Sequence, residues 1–205
     1  MTQPPYIYLA SRSPRRRELL RQIGVTFEVI LLREAGQRRI DVDETPRTGE
    51  SAEEYVNRVS REKALAALGV VHARRLAAHT VLAADTCVVC DEVILGKPAD
   101  AADAARMLRM LAGRSHRVLT AIVVAQGDSV VSRTSVSTVW FRALNDDEIR
   151  RYVATGEPND KAGAYAIQGR AAAFITRIEG SYSGIMGLPL AETAELLRNH
   201  GIVVP

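Results

Sequence analysis

His116-Arg117-Val118-Leu119-Thr120-Ala121-Ile122-Val123-Val124-Ala125, then Gln126-Gly127-Asp128-Ser129, then Val130-Val131-Ser132-Arg133-Thr134-Ser135-Val136-Ser137-Thr138-Val139-Trp140-Phe141-Arg142, is two β-rich runs broken by one short polar turn. Val, Ile, Thr and aromatic residues fill the runs, and the glycine-containing break between them reads as a hairpin. Strands joined so tightly are antiparallel. Elsewhere strand and helix signals alternate, the pattern of parallel α/β layers, so the hairpin makes the sheet mixed.

Working outward, the spacing predicts a strand over 6–10, a helix over 14–23, an irregular polar stretch over 33–50, a helix over 52–68 and a strand over 80–90. After Gly96-Lys97-Pro98, Asp100 and Asp103 cap a helix that stops at Gly113. Beyond the hairpin, Asn145-Asp146-Asp147-Glu148 caps a helix ending near Gly156. Two short strands around 164–168 and 172–178 follow, then a helix over 190–199. No repeat, linker or low-complexity tract divides the chain, so residues 1–205 read as one α/β unit whose hairpin builds a second lobe beside a cleft.

At 205 residues and 47% hydrophobic content the chain can bury a core without disulfides. A net charge of +3 permits an anionic ligand, but with 5% aromatic residues there is no stacking platform for nucleic acid, so a small phosphorylated ligand fits better. No secretory signal is read at the start, and no apolar run reaches the roughly 20 residues of a membrane span, which points to the cytoplasm and to no membrane partner.

Ser13-Pro14-Arg15-Arg16-Arg17 opens the first helix, with Ser13 as N-cap and Pro14 as the first helical residue. Helix N-termini carry partial positive charge, so each arginine there costs roughly 0.3 to 1 kcal/mol unless an anion is bound. A strand, a tight loop and an arginine-ringed helix start form a phosphate cradle. Of the 27 basic residues only Lys63, Lys97 and Lys161 are lysine, which marks positions shaped for a compact point charge. Lys63 projects from the apolar stripe Ala52, Tyr55, Val56, Val59, Ala66 and Ala67 of a helix whose capping box is Ser51-Ala52-Glu53-Glu54, and so aims at a cleft holding negative charge.

Asp85 interrupts the apolar strand Val81-Leu82-Ala83-Ala84-Asp85-Thr86-Cys87-Val88-Val89, and burying an unpaired carboxylate costs several kcal/mol, so it needs a metal, a lysine or a hydrogen-bond network. Asp41-Val42-Asp43-Glu44 adds carboxylates suited to a hard cation. Cys87 and Cys90 lie in the same strand, where residues three apart face opposite sides, and read as small buried hydrophobes. The histidines show no ligand spacing. Phosphate-binding cations beside oxygen donors for Mg²⁺ are the parts of phosphoanhydride cleavage, and neither a P-loop nor a Rossmann glycine pattern occurs.

Ser11-Arg12-Ser13-Pro14-Arg15-Arg16, Arg61-Glu62-Lys63-Ala64, Ala84-Asp85-Thr86, Gly96-Lys97-Pro98, the run from Asp160-Lys161 to Gln168-Gly169, and Gly187-Leu188-Pro189-Leu190 occur in that order. Together they resemble the Maf family of nucleoside triphosphate pyrophosphatases from residue 6 to about 198. The resemblance implies an elongated mixed β-sheet flanked by helices, with two lobes around a central cleft, related to inosine triphosphate pyrophosphatases of the Ham1 type. It implies a homodimer, and hydrolysis between the α and β phosphates that depends on Mg²⁺, with Mn²⁺ as the alternative metal. Carried over by position, Ser13, Arg15, Arg16 and Thr86 bind the substrate, and Lys63 and Lys97 neutralise the pyrophosphate leaving group. Glu44 and Asp85 orient metal and water, with Asp85 as general base. The base-reading segment falls at Tyr165–Gly169 and resembles the dTTP and UTP subgroup. The Gln168 amide offers one donor and one acceptor, matching O4 and N3–H of uracil or thymine. The alternatives are a nucleotide-binding regulator of cell division with little turnover, or a shifted base preference such as 7-methyl-GTP. Arg12, Ala171 and Ser183-Gly184-Ile185-Met186 depart from the family pattern without removing a candidate catalytic group.

Overall fold

Gln126 and Ser129 pair across a two-residue turn, and Gly127 at its first position has φ 57°, a conformation open to glycine at little cost. The computed structural model describes residues 6–33 and 41–204. Within them the chain runs β1 (Ile7–Ala10), α1 (Pro14–Gln22), β2 (Phe27–Val29), α2 (Ala52–Ala73), β3 (Val81–Cys90), β4 (Val93–Leu95), α3 (Ala101–Leu111), β5 (Ser115–Gln126), β6 (Ser129–Phe141), α4 (Asp146–Val153), β7 (Ile175–Glu179), α5 (Tyr182–Met186) and α6 (Leu190–Asn199). The expected hairpin is β5–β6, at the centre of a seven-stranded mixed sheet ordered β2-β1-β3-β5-β6-β7. β1 runs parallel to β2 and β3, while β3–β5, β5–β6 and β6–β7 are antiparallel.

The period of two along β3 sorts its residues between two layers. Val81, Ala83, Cys87 and Val89 pack with the buried face of α2. On the other side Leu82 and Ala84 join Leu19 and Leu20 of α1 and Leu196 and Leu197 of α6, whereas Val88 and Cys90 join Leu108 and Leu111 of α3. Two apolar clusters therefore divide that face into two lobes, and β3 and β5 run through both. Each fully buried Leu or Ile contributes about 1.5 to 3 kcal/mol by leaving water. Cys87 and Cys90 fall on opposite faces as free thiols, and burial pushes the Cys87 thiol up to about 12.

The site arises from a gap in the sheet. Along one edge β3 pairs with β1 at Val81–Ala83 and with β4 at Val88–Cys90, leaving 84–87 without a strand on that edge among the described residues. β1 ends at Ala10 beside this gap, and the turn of Ser11 to Ser13 carries the chain into α1.

Several expectations need correction. The strand expected over 164–168 does not form: Gly163 and Ala164 have φ 68° and 60°, and Tyr165, Ala166 and Ile167 are all buried instead of alternating. The next strand starts at Ile175, after a 3₁₀ turn over Arg170–Phe174. α2 continues through Gly69 to Ala73, since Val71 on its last turn is buried against Tyr8 and Val81. The short elements β2, β4 and α5 had no sequence reading of their own.

Candidate active site

Ser13, Arg15, Arg16, Glu44, Lys63, Asp85, Thr86, Lys97 and Gln168 all line one cleft of about 860 Å³. Its floor is the gap in β3. Asp85 points to the α2 face, where Lys63 Nζ donates to its Oδ1 at 2.8 Å and lies 3.0 Å from Glu44 Oε1. Asp85 is only 6% exposed, and its Oδ2 has no hydrogen-bond partner. The carboxylate therefore has the lysine partner that burial demanded, and keeps one oxygen aimed at nothing in the protein. Glu44 comes from the irregular stretch after residue 41 and is 47% exposed.

Thr86 takes the opposite face of β3. Its hydroxyl lies 2.9 Å from Thr120 on β5, whose own single proton is donated to Gly184 O at 2.7 Å. Thr86 must then donate to Thr120, and it accepts from Arg16 Nη2 at 3.0 Å. Arg16 further donates from Nε to Gly187 O at 2.7 Å and from Nη1 to Ser11 Oγ at 3.2 Å. Burial lowers its guanidinium, and Asp85 opposes that shift. So the two residues expected to touch substrate side by side are first of all tied to each other, and the Thr86 proton is committed within the protein. Thr120, Ser11 and the Gly184 and Gly187 carbonyls belong to this arrangement, and none of them was given a site role from the sequence.

Ser13 caps α1, its hydroxyl accepting from Arg16 N at 3.4 Å, as expected. Arg15 lies 3.8 Å from Asp160, which also pairs with Lys161. Burial acts to raise the Asp160 carboxyl, but the Lys161 hydrogen bond and the Lys161 and Arg15 charges hold it below its ordinary value. Lys97 and Gln168 stand exposed at the rim, with no hydrogen bond or ion pair to the described residues. The segment behind Gln168 is fixed by Glu157, which accepts from Tyr152 OH and from Arg170 N. Among the described residues no three His, Cys, Asp or Glu side chains cluster to hold a metal by themselves, and no helix is long and apolar enough to cross a membrane.

The arrangement is a cleft lined by arginine and lysine with a buried carboxylate at its floor, carried on the fold also seen in the solved structure of the Staphylococcus aureus Ham1 protein. That likeness has a TM-score of 0.51 at 16% identity, covering 95% of this chain and 99% of the other, and at this distance it defines the fold class alone. The family model for Maf-like proteins matches residues 6–200, and the chain belongs to that family. Curated relatives agree along nearly the whole length. The dTTP/UTP pyrophosphatase of Aromatoleum aromaticum is 60% identical over 197 residues, which is 95% of each chain. That of Cupriavidus metallidurans is 56% identical over 196 residues, 96% of this chain and 97% of its own. That of Ralstonia nicotianae is 55% identical over 201 residues, 98% of this chain and 96% of its own.

Proposed function

We propose that this chain hydrolyses dTTP and UTP to the nucleoside monophosphate and pyrophosphate. The observation that carries the reading is Asp85: buried at the floor of a cationic cleft, neutralised through one oxygen by Lys63, with the other oxygen left without a hydrogen-bond partner. Asp85 takes a proton from the water as the water oxygen bonds to the α phosphorus, and the α–β bridging oxygen departs with pyrophosphate. Arg15 and the N-terminus of α1 hold phosphate oxygens; Arg16, whose three nitrogens already donate to Gly187, Ser11 and Thr86, adds its positive charge to the same space. Lys97 meets the charge developing on the leaving pyrophosphate, and Gln168 offers its unpaired amide to the base edge.

The donor set fits a divalent cation. Two hard carboxylates, Asp85 with an unpartnered buried oxygen and Glu44 with an exposed one, suit Mg²⁺, which takes its other ligands from water and substrate phosphate and needs no third acidic side chain. Mn²⁺ meets the same oxygen donors. When bound, the cation withdraws charge from the phosphates and acidifies the attacking water. A homodimer belongs to the same reading and rests on the family resemblance; the cytoplasm belongs to it too and rests on the sequence, in which no secretory signal or membrane-length apolar run is read.

The test is incubation of the purified protein with dTTP, UTP, CTP, GTP and 7-methyl-GTP plus Mg²⁺ in ¹⁸O-water. Monophosphate carrying the label, plus unlabelled pyrophosphate, from dTTP and UTP foremost is the expected result. Diphosphate plus phosphate would overturn the bond assignment, and tight binding without turnover would favour the regulator.

A further inference from the structure

Glu44 presents a difficulty that its own side chain does not solve. It is 47% exposed, it lies in a stretch without helix or strand, and an exposed carboxylate on an irregular loop has no fixed position. Yet its Oε1 sits 3.0 Å from Lys63 Nζ, opposite Asp85.

The backbone supplies the answer. Arg58 on α2 donates from Nη1 to Asp43 O and from Nη2 to Thr45 O, both at 3.0 Å, gripping the carbonyls on either side of Glu44. Tyr55, one turn earlier on the same helix, donates its hydroxyl to the carbonyl of Glu44 itself at 3.0 Å. Three consecutive carbonyls are thus held by two side chains of α2, the helix that also carries Lys63. The other Arg58 donors are occupied too: Nε and Nη2 make a forked pair with Glu50 at 2.6 and 2.9 Å, and Nη1 reaches Glu62 at 3.5 Å. The Arg58 side chain is 12% exposed and that of Glu50 9%, so the fork is shielded from water where charged hydrogen bonds hold best. The guanidinium also lies over the Tyr55 ring, 5.7 Å from its centroid. This geometry needs a planar fork, and an ammonium on the same stem supplies no second edge.

We propose that Arg58 and Tyr55 are positioning residues that pin the 43–45 backbone to α2 and so hold the Glu44 carboxylate opposite Asp85 for the divalent cation. The inference rests on the reading of Glu44 as a metal ligand given above. Nothing in the reaction passes through Arg58 or Tyr55; their effect is carried by the place of the Glu44 oxygen.

The test uses the full chain with Tyr55→Phe, Arg58→Lys and Glu44→Gln, and Arg114→Ala as a control that removes only an ion pair to Asp91. Mn²⁺ binding is read by loss of its free EPR signal in the presence of α,β-methylene-UTP, and Mg²⁺ half-saturation, KM for UTP and kcat are read in turnover, with thermal melts alongside. Metal affinity is expected to fall roughly threefold for Tyr55→Phe, a single hydrogen bond, and about tenfold or more for Arg58→Lys. Excess Mg²⁺ should restore most of kcat, which a general loss of folding would not allow. Unchanged Mn²⁺ affinity in Tyr55→Phe and Arg58→Lys, with Glu44→Gln weakened, would overturn the positioning role alone. If Glu44→Gln itself binds Mn²⁺ like wild type, the ligand reading of Glu44 fails and takes the positioning role with it. Should Arg58→Lys not fold, Tyr55→Phe decides the matter, since it leaves the packed ring in place.

Discussion

One carboxylate oxygen decides how Asp85 should respond to substitution. Asp85→Asn keeps the shape and can still accept from Lys63, but it loses the charge that draws a proton from water or binds a cation. Turnover should drop by at least about a hundredfold, the scale of a lost general base, while a melt shows a folded protein. A residual rate within a few-fold of wild type would refute the assignment. Gln168 makes the opposite kind of case, because its amide is exposed and unpaired, so changing it should touch specificity and not stability. In Gln168→Glu the carboxylate only accepts, so it loses the donor for O4 and sets acceptor against acceptor, and kcat/KM for dTTP and UTP should fall far more than for GTP. Equal losses across dTTP, UTP, CTP and GTP would mean Gln168 does not read the base. Asp85 and Lys63 were legible because each breaks a local rule, a charge in an apolar run and a cation within an apolar stripe, whereas Gln168 was read through the family resemblance. Thr120, Tyr55 and Arg58 break none. A threonine in a strand, a tyrosine on a buried helix face and an arginine beside glutamates look like ordinary structure, and only the fold reveals which carbonyls they hold.

Among the elements, the long ones announced themselves through periodicity and capping chemistry, and the capping box at Ser51 and the Asn145 box are both formed. The three-residue strands β2 and β4 are too short to show a period. β4 moreover follows a tight turn whose φ values at Asp91 and Glu92 are 49° and 61°, without the glycine or asparagine that would flag it. The 164–168 error has the same root: Tyr165 and Ile167 alternate like a strand, but Gly163 turns the chain first. Gly163 has φ 68°, and a Cβ there would lie 2.9 Å from the Val88 side chain, while its N–H donates to Gly96 O at 3.0 Å, next to Lys97. Gly163→Ala therefore adds left-handed strain of about 1 to 2 kcal/mol to an overpacking cost of similar size. The melting temperature should fall by roughly 5 °C or more. Gly69→Ala makes the same chemical change inside α2, with nothing within 4 Å of the new carbon, and should stabilise by about 0.5 to 1 kcal/mol. Two glycine variants moving the melt in one direction would undo this account of the turn.

For the molecule as a whole, most of its ion pairs lie on the surface and add little, so the acid response should come from a few buried groups. His116 sits at 3% exposure in the α3-side cluster, edge-on to Phe141 and Tyr165, with Nε2 2.8 Å from the Tyr165 hydroxyl and Nδ1 unpartnered. Burial lowers its pKa from 6.5 to about 4. Between those values the unfolded chain binds a proton that the folded chain refuses, so the contribution to stability is full above 6.5 and is lost as pH falls toward 4, on the order of 3 kcal/mol in all. Glu50, drawn down from 4.5 to about 2 by the Arg58 fork, acts in a lower window: its contribution is present above 4.5 and lost as pH falls toward 2. The two groups are therefore separable by pH. Wild-type melts should decline from pH 6.5 to 4 and decline again below. His116→Gln, whose amide can still reach Tyr165 but does not titrate, should flatten the upper decline and leave the lower one. Glu50→Gln should do the reverse. If the His116→Gln curve runs parallel to wild type between pH 6.5 and 4, the buried imidazole is not what makes this fold acid-sensitive.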